Sequence, residues 1–194
     1  LGIKDLDDTE GLVTTFGSPI FKDNVPAADS TMVADLRAAG GIVLGKTNTP
    51  EFGAGANTRN AVYGATGNPF DPTKSAAGSS GGSGVALATG MVPLASGSDT
   101  GGSLRNPAAF NGIVGFRPSP GVVPQGRRLL GWSALSVLGP MARNVPDLAL
   151  LLSSMAADYA VDPLAYTLPG KDVRRGMTVD EVVDLSALRV AATP

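Results

Sequence analysis

Apolar positions along the chain come in short blocks that alternate between helical and extended spacing. Met32, Val33, Leu36 and Ala39 fall on one face of a helix that Ser30 or Thr31 can cap and Gly40 can end. Gly41-Ile42-Val43-Leu44 then reads as a short buried strand. The same order returns downstream, with a helix from Gly81 to Gly90, a strand from Leu94 to Ser98, a helix from Ser103 to Phe110 and a strand from Gly112 to Phe116. Leu148, Leu151, Leu152 and Met155 repeat at helical spacing behind Asn144 and Pro146, so that face is predicted to be core. Such alternation predicts an α/β fold, a sheet covered by helices. Past the last helix, Asp158 to Gly176 reads as irregular, with Pro163, Pro169 and a charged Lys171 to Arg175 stretch on a solvated surface. Leu188 to Ala191 reads as a new strand, which predicts more sheet beyond Pro194, just as the opening at Leu1 predicts residues before it. There is no internal repeat and no sustained heptad.

Composition narrows the chemistry. The 194 residues, 43% hydrophobic and 16% charged, supply one globular core, so residues 1–194 read as one domain or part of one. A formal charge of −2 gives no basic surface for nucleic acid, and small molecules are the expected ligands. No apolar run reaches the ~20 residues of a membrane span and no signal pattern opens the chain, which predicts a cytoplasmic protein. There are no cysteines and no histidines, which excludes thiol nucleophiles, Cys/His zinc sites and a Ser-His-Asp triad within these residues. Acid–base chemistry here falls to Lys, Ser, Tyr or a carboxylate.

The 26 glycines concentrate between Gly78 and Gly115. Ser79-Ser80-Gly81-Gly82-Ser83 in isolation also fits a flexible Gly/Ser linker. Two motifs match literally and fail on context. Gly40 to Thr47 spells a phosphate-binding loop ending in Gly45-Lys46-Thr47, but its middle positions are strand formers and Asn48-Thr49-Pro50 follows where a helix is needed. Gly78-Ser79-Ser80-Gly81-Gly82 spells a nucleophile elbow with Ser80 as nucleophile, yet no histidine follows to serve as base. A third block, Gly97-Ser98-Asp99-Thr100-Gly101-Gly102-Ser103, sets Ser103 where a glycine turn meets a helix start, beside unpaired N–H groups suited to an oxyanion. The absent side chains of Gly101 and Gly102 let a carbonyl approach the backbone; a serine at a helix start is otherwise an N-cap.

Taken in order, Gly2 to Asp5, Leu44 to Phe52, Asn68 to Asp71, Gly78 to Ser83, Gly97 to Ala109 and Val114 to Pro118 make the chain resemble the amidase signature family over most of its length. That resemblance implies a mixed β-sheet covered by helices on both faces, here the central catalytic part of a single domain whose N-terminal helices and C-terminal half lie outside the chain. It makes Lys46 part of the scaffold. It implies a triad of Lys4, a serine after a cis peptide bond at Ser79, and a nucleophile at Ser103. The amides of Thr100, Gly101, Gly102 and Ser103 would form the oxyanion hole, with Ser80, Asp99 and Arg105 holding the loops around it. Ala77 departs from the family pattern, which has glycine there.

In such a triad Lys4 must be neutral to accept a proton, so its pKa has to fall from about 10.4 to around 7. A hydroxyl both donates and accepts, so Ser79 can relay the Ser103 proton to Lys4. No metal or cofactor is required. The wording around Ser103 resembles general amidases acting on a small-molecule amide, with a homodimer left open. The alternatives are the A subunit of the tRNA-dependent amidotransferase, which releases ammonia from glutamine or asparagine in a complex, and a non-catalytic binding module.

Overall fold

The computed structural model describes residues 1–126, 130–157, 162–166 and 189. Five strands form one mixed sheet. β1 (Gly2–Lys4) lies between β2 (Gly45–Thr47) and β5 (Leu94–Asp99), parallel to both; β7 (Val137–Ala142) runs antiparallel to β5, and β6 (Val114–Gly115) closes the edge antiparallel to β7. A separate two-stranded hairpin joins β3 (Arg59–Asn60) to β4 (Gly64–Ala65).

Among the described residues four α-helices pack on the sheet: α1 (Thr31–Ala38), α2 (Gly81–Ala88), α3 (Arg105–Asn111) and α4 (Val145–Met155). Side-chain alternation along the strands divides the interior in two. Ile3 of β1 joins Met32, Val33 and Leu36 of α1 and Leu151, Leu152 and Met155 of α4 in one core. Ala95 of β5 and Met141 of β7 join Ala86 and Leu87 of α2 and Leu104 in the other. Helices therefore cover both faces, as expected.

Local chemistry explains most boundaries. Asn144 caps α4, its side chain accepting from the Asp147 N–H, with Pro146 in the first turn. Gly40 ends α1 at φ +87°. Ser30 stands at the α1 cap position without a side-chain capping bond.

The strand expected at Gly41 to Leu44 is displaced. Ile42 and Leu44 are 75% and 65% exposed, and the paired residues are Gly45, Lys46 and Thr47, in register with Gly2, Ile3 and Lys4. Pairing with β1 sets this strand, and the apolar run leading into it stays outside. The helix expected from Ser103 begins at Arg105, and the strand expected over Gly112 to Phe116 is only Val114–Gly115. The expectations for residues 158–161, 167–176 and the strand at Leu188 to Ala191 lie essentially outside the described residues. No described helix is long and apolar enough to cross a membrane.

Candidate active site

Lys4, Thr47 and Asp99 end β1, β2 and β5, the three parallel strands, so the site gathers at their carboxyl edge. Lys4 is fully buried. Its backbone N–H donates to Ser96 Oγ at 2.9 Å, and its Nζ donates to Ser79 Oγ at 2.7 Å, Ser98 Oγ at 2.8 Å and Ser80 Oγ at 2.9 Å. Burial pushes the Lys4 amine from 10.5 down to about 7, against the opposing pull of Asp7 and Asp99. The Ser80 hydroxyl donates to the Ser98 carbonyl at 3.3 Å and accepts from the Ser98 N–H at 3.3 Å. Among the described residues, the hydroxyl hydrogens of Ser79 and Ser98 have no acceptor.

The segment carrying Ser79 and Ser80 is held by its glycines and by Thr58. The Gly78–Ser79 peptide bond is cis, and Ala77 adopts a φ of +57°. Thr58 Oγ1 donates to the Ala77 carbonyl at 2.9 Å and accepts from the Gly81 N–H at 3.0 Å. A Cβ on Gly82 would lie 2.3 Å from the Asn48 amide nitrogen, and one on Gly81 would lie 2.3 Å from Thr58 Oγ1. These glycines permit close packing inside a helix, which overturns the linker reading of the serine–glycine run.

Ser103 sits between β5 and α3, half-buried, and its carbonyl accepts from the Ser80 N–H at 3.3 Å. Its hydroxyl makes no hydrogen bond among the described residues. The structure thus gathers Lys4, Ser79, Ser80 and Ser98 by direct bonds and joins Ser103 to them through backbone.

Asp99 organises the Ser103 loop. Its carboxylate accepts from the Gly102 N–H at 2.8 Å, the Leu104 N–H at 3.1 Å, Arg105 Nε at 3.0 Å and Arg117 Nη1 at 3.0 Å. Burial by itself pushes the Asp99 carboxyl up, but the Arg105 bond and the two amides outweigh it and hold the group well below the usual carboxylate range. The Gly102 N–H is therefore committed to Asp99.

Comparison with known proteins identifies the family. The model of the family described as Amidase matches residues 1–193. The chain belongs to the amidase family. It is 47% identical over 169 residues to the A subunit of glutamyl-tRNA(Gln) amidotransferase from Thermus thermophilus, covering 87% of this chain and 36% of that protein. Among solved structures it is similar to a bacterial aryl acylamidase of the amidase signature family, with TM-score 0.80, 35% identity, and 86% of this chain and 35% of that one covered. It is also similar to the peptide amidase of Stenotrophomonas maltophilia, with TM-score 0.78, 35% identity, and 89% and 36% covered. The chain spans little more than a third of the length of the relatives it matches.

Sequence motifs mark Lys4, Ser79 and Ser103 as candidates but miss other residues that the structure gathers around Lys4. Ser80, expected only to hold a loop, bonds Lys4 directly. Ser98 does so as well, and nothing in a Gly-Ser-Asp run signals a lysine partner on another strand. Arg117, which in the sequence is only part of a matching block, clamps Asp99 alongside Arg105.

Proposed function

We propose that the protein hydrolyses a carboxylic amide through an acyl-enzyme on Ser103, with Ser79 as proton relay and neutral Lys4 as base. The observation that carries this reading is the 2.7 Å bond between Lys4 Nζ and Ser79 Oγ, made by an amine whose pKa burial brings to about 7. At that value a large fraction of Lys4 is neutral near physiological pH and can accept a proton.

Ser103 Oγ forms a bond to the amide carbonyl carbon as its proton moves to Ser79 Oγ, and the proton of Ser79 moves to Lys4 Nζ. The Ser79–Ser103 link of this path closes when substrate is bound. With the Gly102 N–H donated to Asp99, the amides of Thr100, Gly101 and Ser103 remain to receive the developing oxyanion. Collapse breaks the C–N bond, and the leaving nitrogen takes a proton back from Lys4 through Ser79. Water then attacks the acyl-enzyme by the same path in reverse, giving carboxylate and free Ser103.

The substrate reading favours glutamine. Relatives named as the A subunit of glutamyl-tRNA(Gln) amidotransferase reach 41–47% identity to this chain. This reverses the order in which the sequence wording placed the two amidase readings, and makes release of ammonia from glutamine within a multi-subunit enzyme the leading reading. A free-standing amidase is the second, supported by likeness to an aryl acylamidase and a peptide amidase. Two measurements on the full-length protein test the proposal. A fluorophosphonate probe should label it at Ser103 and fail to label Ser103→Ala; label retained there but lost in Ser80→Ala returns the elbow reading. Ammonia release from an amide panel, with and without glutamine, tRNA and co-purifying proteins, separates the two substrate classes.

A further inference from the structure

Lys4 has a charged neighbour that this proton path does not use. Asp7 follows it by one turn, closed by the Asp7 N–H donating to the Lys4 carbonyl at 3.1 Å. Asp7 is buried, and its carboxylate accepts no hydrogen bond among the described residues; Oδ2 is wholly enclosed. Lys46 stands close by but spends its donors elsewhere, on the backbone carbonyl of Asp7, on Thr9 Oγ1 at 2.7 Å and on Thr14 Oγ1 at 3.0 Å. A carboxylate buried without donors is costly to keep, and its field is not spent on any bonded partner.

That field reaches Lys4 from the side away from the nucleophile. Asp7 and Ser98 line one cavity of about 730 Å³, together with Met32 and Leu138; Ser79 and Ser103 do not line it. Ser98 pairs with Leu138, which packs against the α1/α4 core, so the cavity lies on that face of the sheet. Lys4 Nζ, bonded to Ser79 and Ser80 at the start of α2, thus also bonds a hydroxyl that opens onto the opposite face.

We propose that Asp7 is a positioning residue that sets the pH at which Lys4 becomes competent as a base, acting across the cavity it shares with Ser98. The inference rests on the reading of Lys4 as the base. Two carboxylates face Lys4, Asp7 and Asp99. The charge of Asp99 is matched by Arg105 and Arg117, whereas that of Asp7 is met by no ion pair among the described residues. Asp7, although Lys46 also draws on its charge, exerts the larger pull of the two carboxylates that hold the Lys4 ammonium against burial. Around Asp7 stand Lys46 and Lys4, which favour its charged form, and Asp8 and Asp5, which oppose it; Asp29 lines the same cavity. Burial lifts the Asp7 carboxyl to about 6, so it is mostly charged at pH 7 and above, where Lys4 loses most of its protons.

The experiment is the pH profile of kcat/KM for full-length wild type and the isosteric Asp7→Asn. Removing the charge releases Lys4 to deprotonate earlier, so the acid limb should move to lower pH by about one unit. At pH 7, where most of Asp7 is charged, this raises the neutral fraction of Lys4 from about one half to about nine-tenths. Asp7→Ser, smaller and also uncharged, gives the same reading should Asp7→Asn fold poorly. A limb that stays in place, or moves to higher pH, in a folded variant overturns the inference alone. A wild type with no acid limb overturns the assignment of Lys4 as base and this inference with it.

Discussion

A protonated Lys4 has three donors and meets three hydroxyl oxygens; a neutral Lys4 has two donors and a lone pair, so one hydroxyl must turn and donate. Ser80 is not free to turn, because its hydrogen goes to the Ser98 carbonyl. Ser79 and Ser98 both have their hydrogens unspent, and of the two Ser79 adjoins Ser80, whose N–H bonds the Ser103 carbonyl, so Ser79 can serve the lone pair and take a proton from the nucleophile. The two adjacent serines are thus predicted to differ sharply. Ser79→Ala should lower kcat by about 10²–10⁴, the range for loss of a positioned acid–base group. Ser80→Ala, which removes one bond to a charged amine, should cost about 10- to 100-fold, corresponding to about 1.5–3 kcal/mol. Single-substrate kinetics on both variants decide it, and a larger loss at Ser80 than at Ser79 would be incompatible with the relay.

At the scale of elements, glycines of the two glycine–serine motifs do opposite work. Gly82 lies within α2 against the Asn48 backbone, where a Cβ has no room, whereas a Cβ on Gly101 meets nothing within 4 Å. Gly82→Ala should therefore destabilise the protein by about 1–3 kcal/mol or more, as overpacking against backbone does. Gly101→Ala should leave the melting temperature nearly unchanged and lower kcat/KM, because its methyl intrudes where the substrate carbonyl approaches. Thermal unfolding and kinetics on the pair test this, and a Gly101→Ala enzyme with full activity would remove that residue from the oxyanion site. The elements themselves are unevenly legible in the sequence. α1, α2 and α4 can be read because apolar spacing, caps and terminal glycines are local signals. β7 escapes such a reading, since Val137-Leu138-Gly139-Pro140 looks like a turn. Pro140 is tolerated there because its carbonyl accepts from the Phe116 N–H, so its missing N–H points the same way, past the end of the two-residue β6. β2 begins directly after the apolar run because its partner, not its own hydrophobicity, selects Gly45 to Thr47. In the site, motif positions reveal Lys4, Ser79 and Ser103, whereas Ser98 and Asp7 acquire meaning only when β1 and β5 lie side by side.

At the scale of the whole molecule, Lys4 draws together segments 75 to 94 residues apart, and holding an amine there has a cost to folding. In the unfolded chain Lys4 titrates near 10.5 and in the folded protein near 7. Above pH 10.5 both states are neutral and the group is indifferent to folding. As pH falls from 10.5 to 7 the unfolded chain binds a proton that the folded protein does not, so stability declines. Below 7 both states are protonated and the loss has reached its full size, about 5 kcal/mol. Lys4→Met removes the titration while filling similar space. The variant should therefore gain on wild type in unfolding free energy as pH is lowered from about 10 to 7, with the difference level below that. It should also be inactive, because the base is gone. Urea unfolding of both full-length proteins at several pH values in that window measures the difference directly. A gap independent of pH would mean that Lys4 titrates alike in the folded and unfolded protein, and an amine that is not depressed by burial could not take the proton of Ser79 near neutral pH.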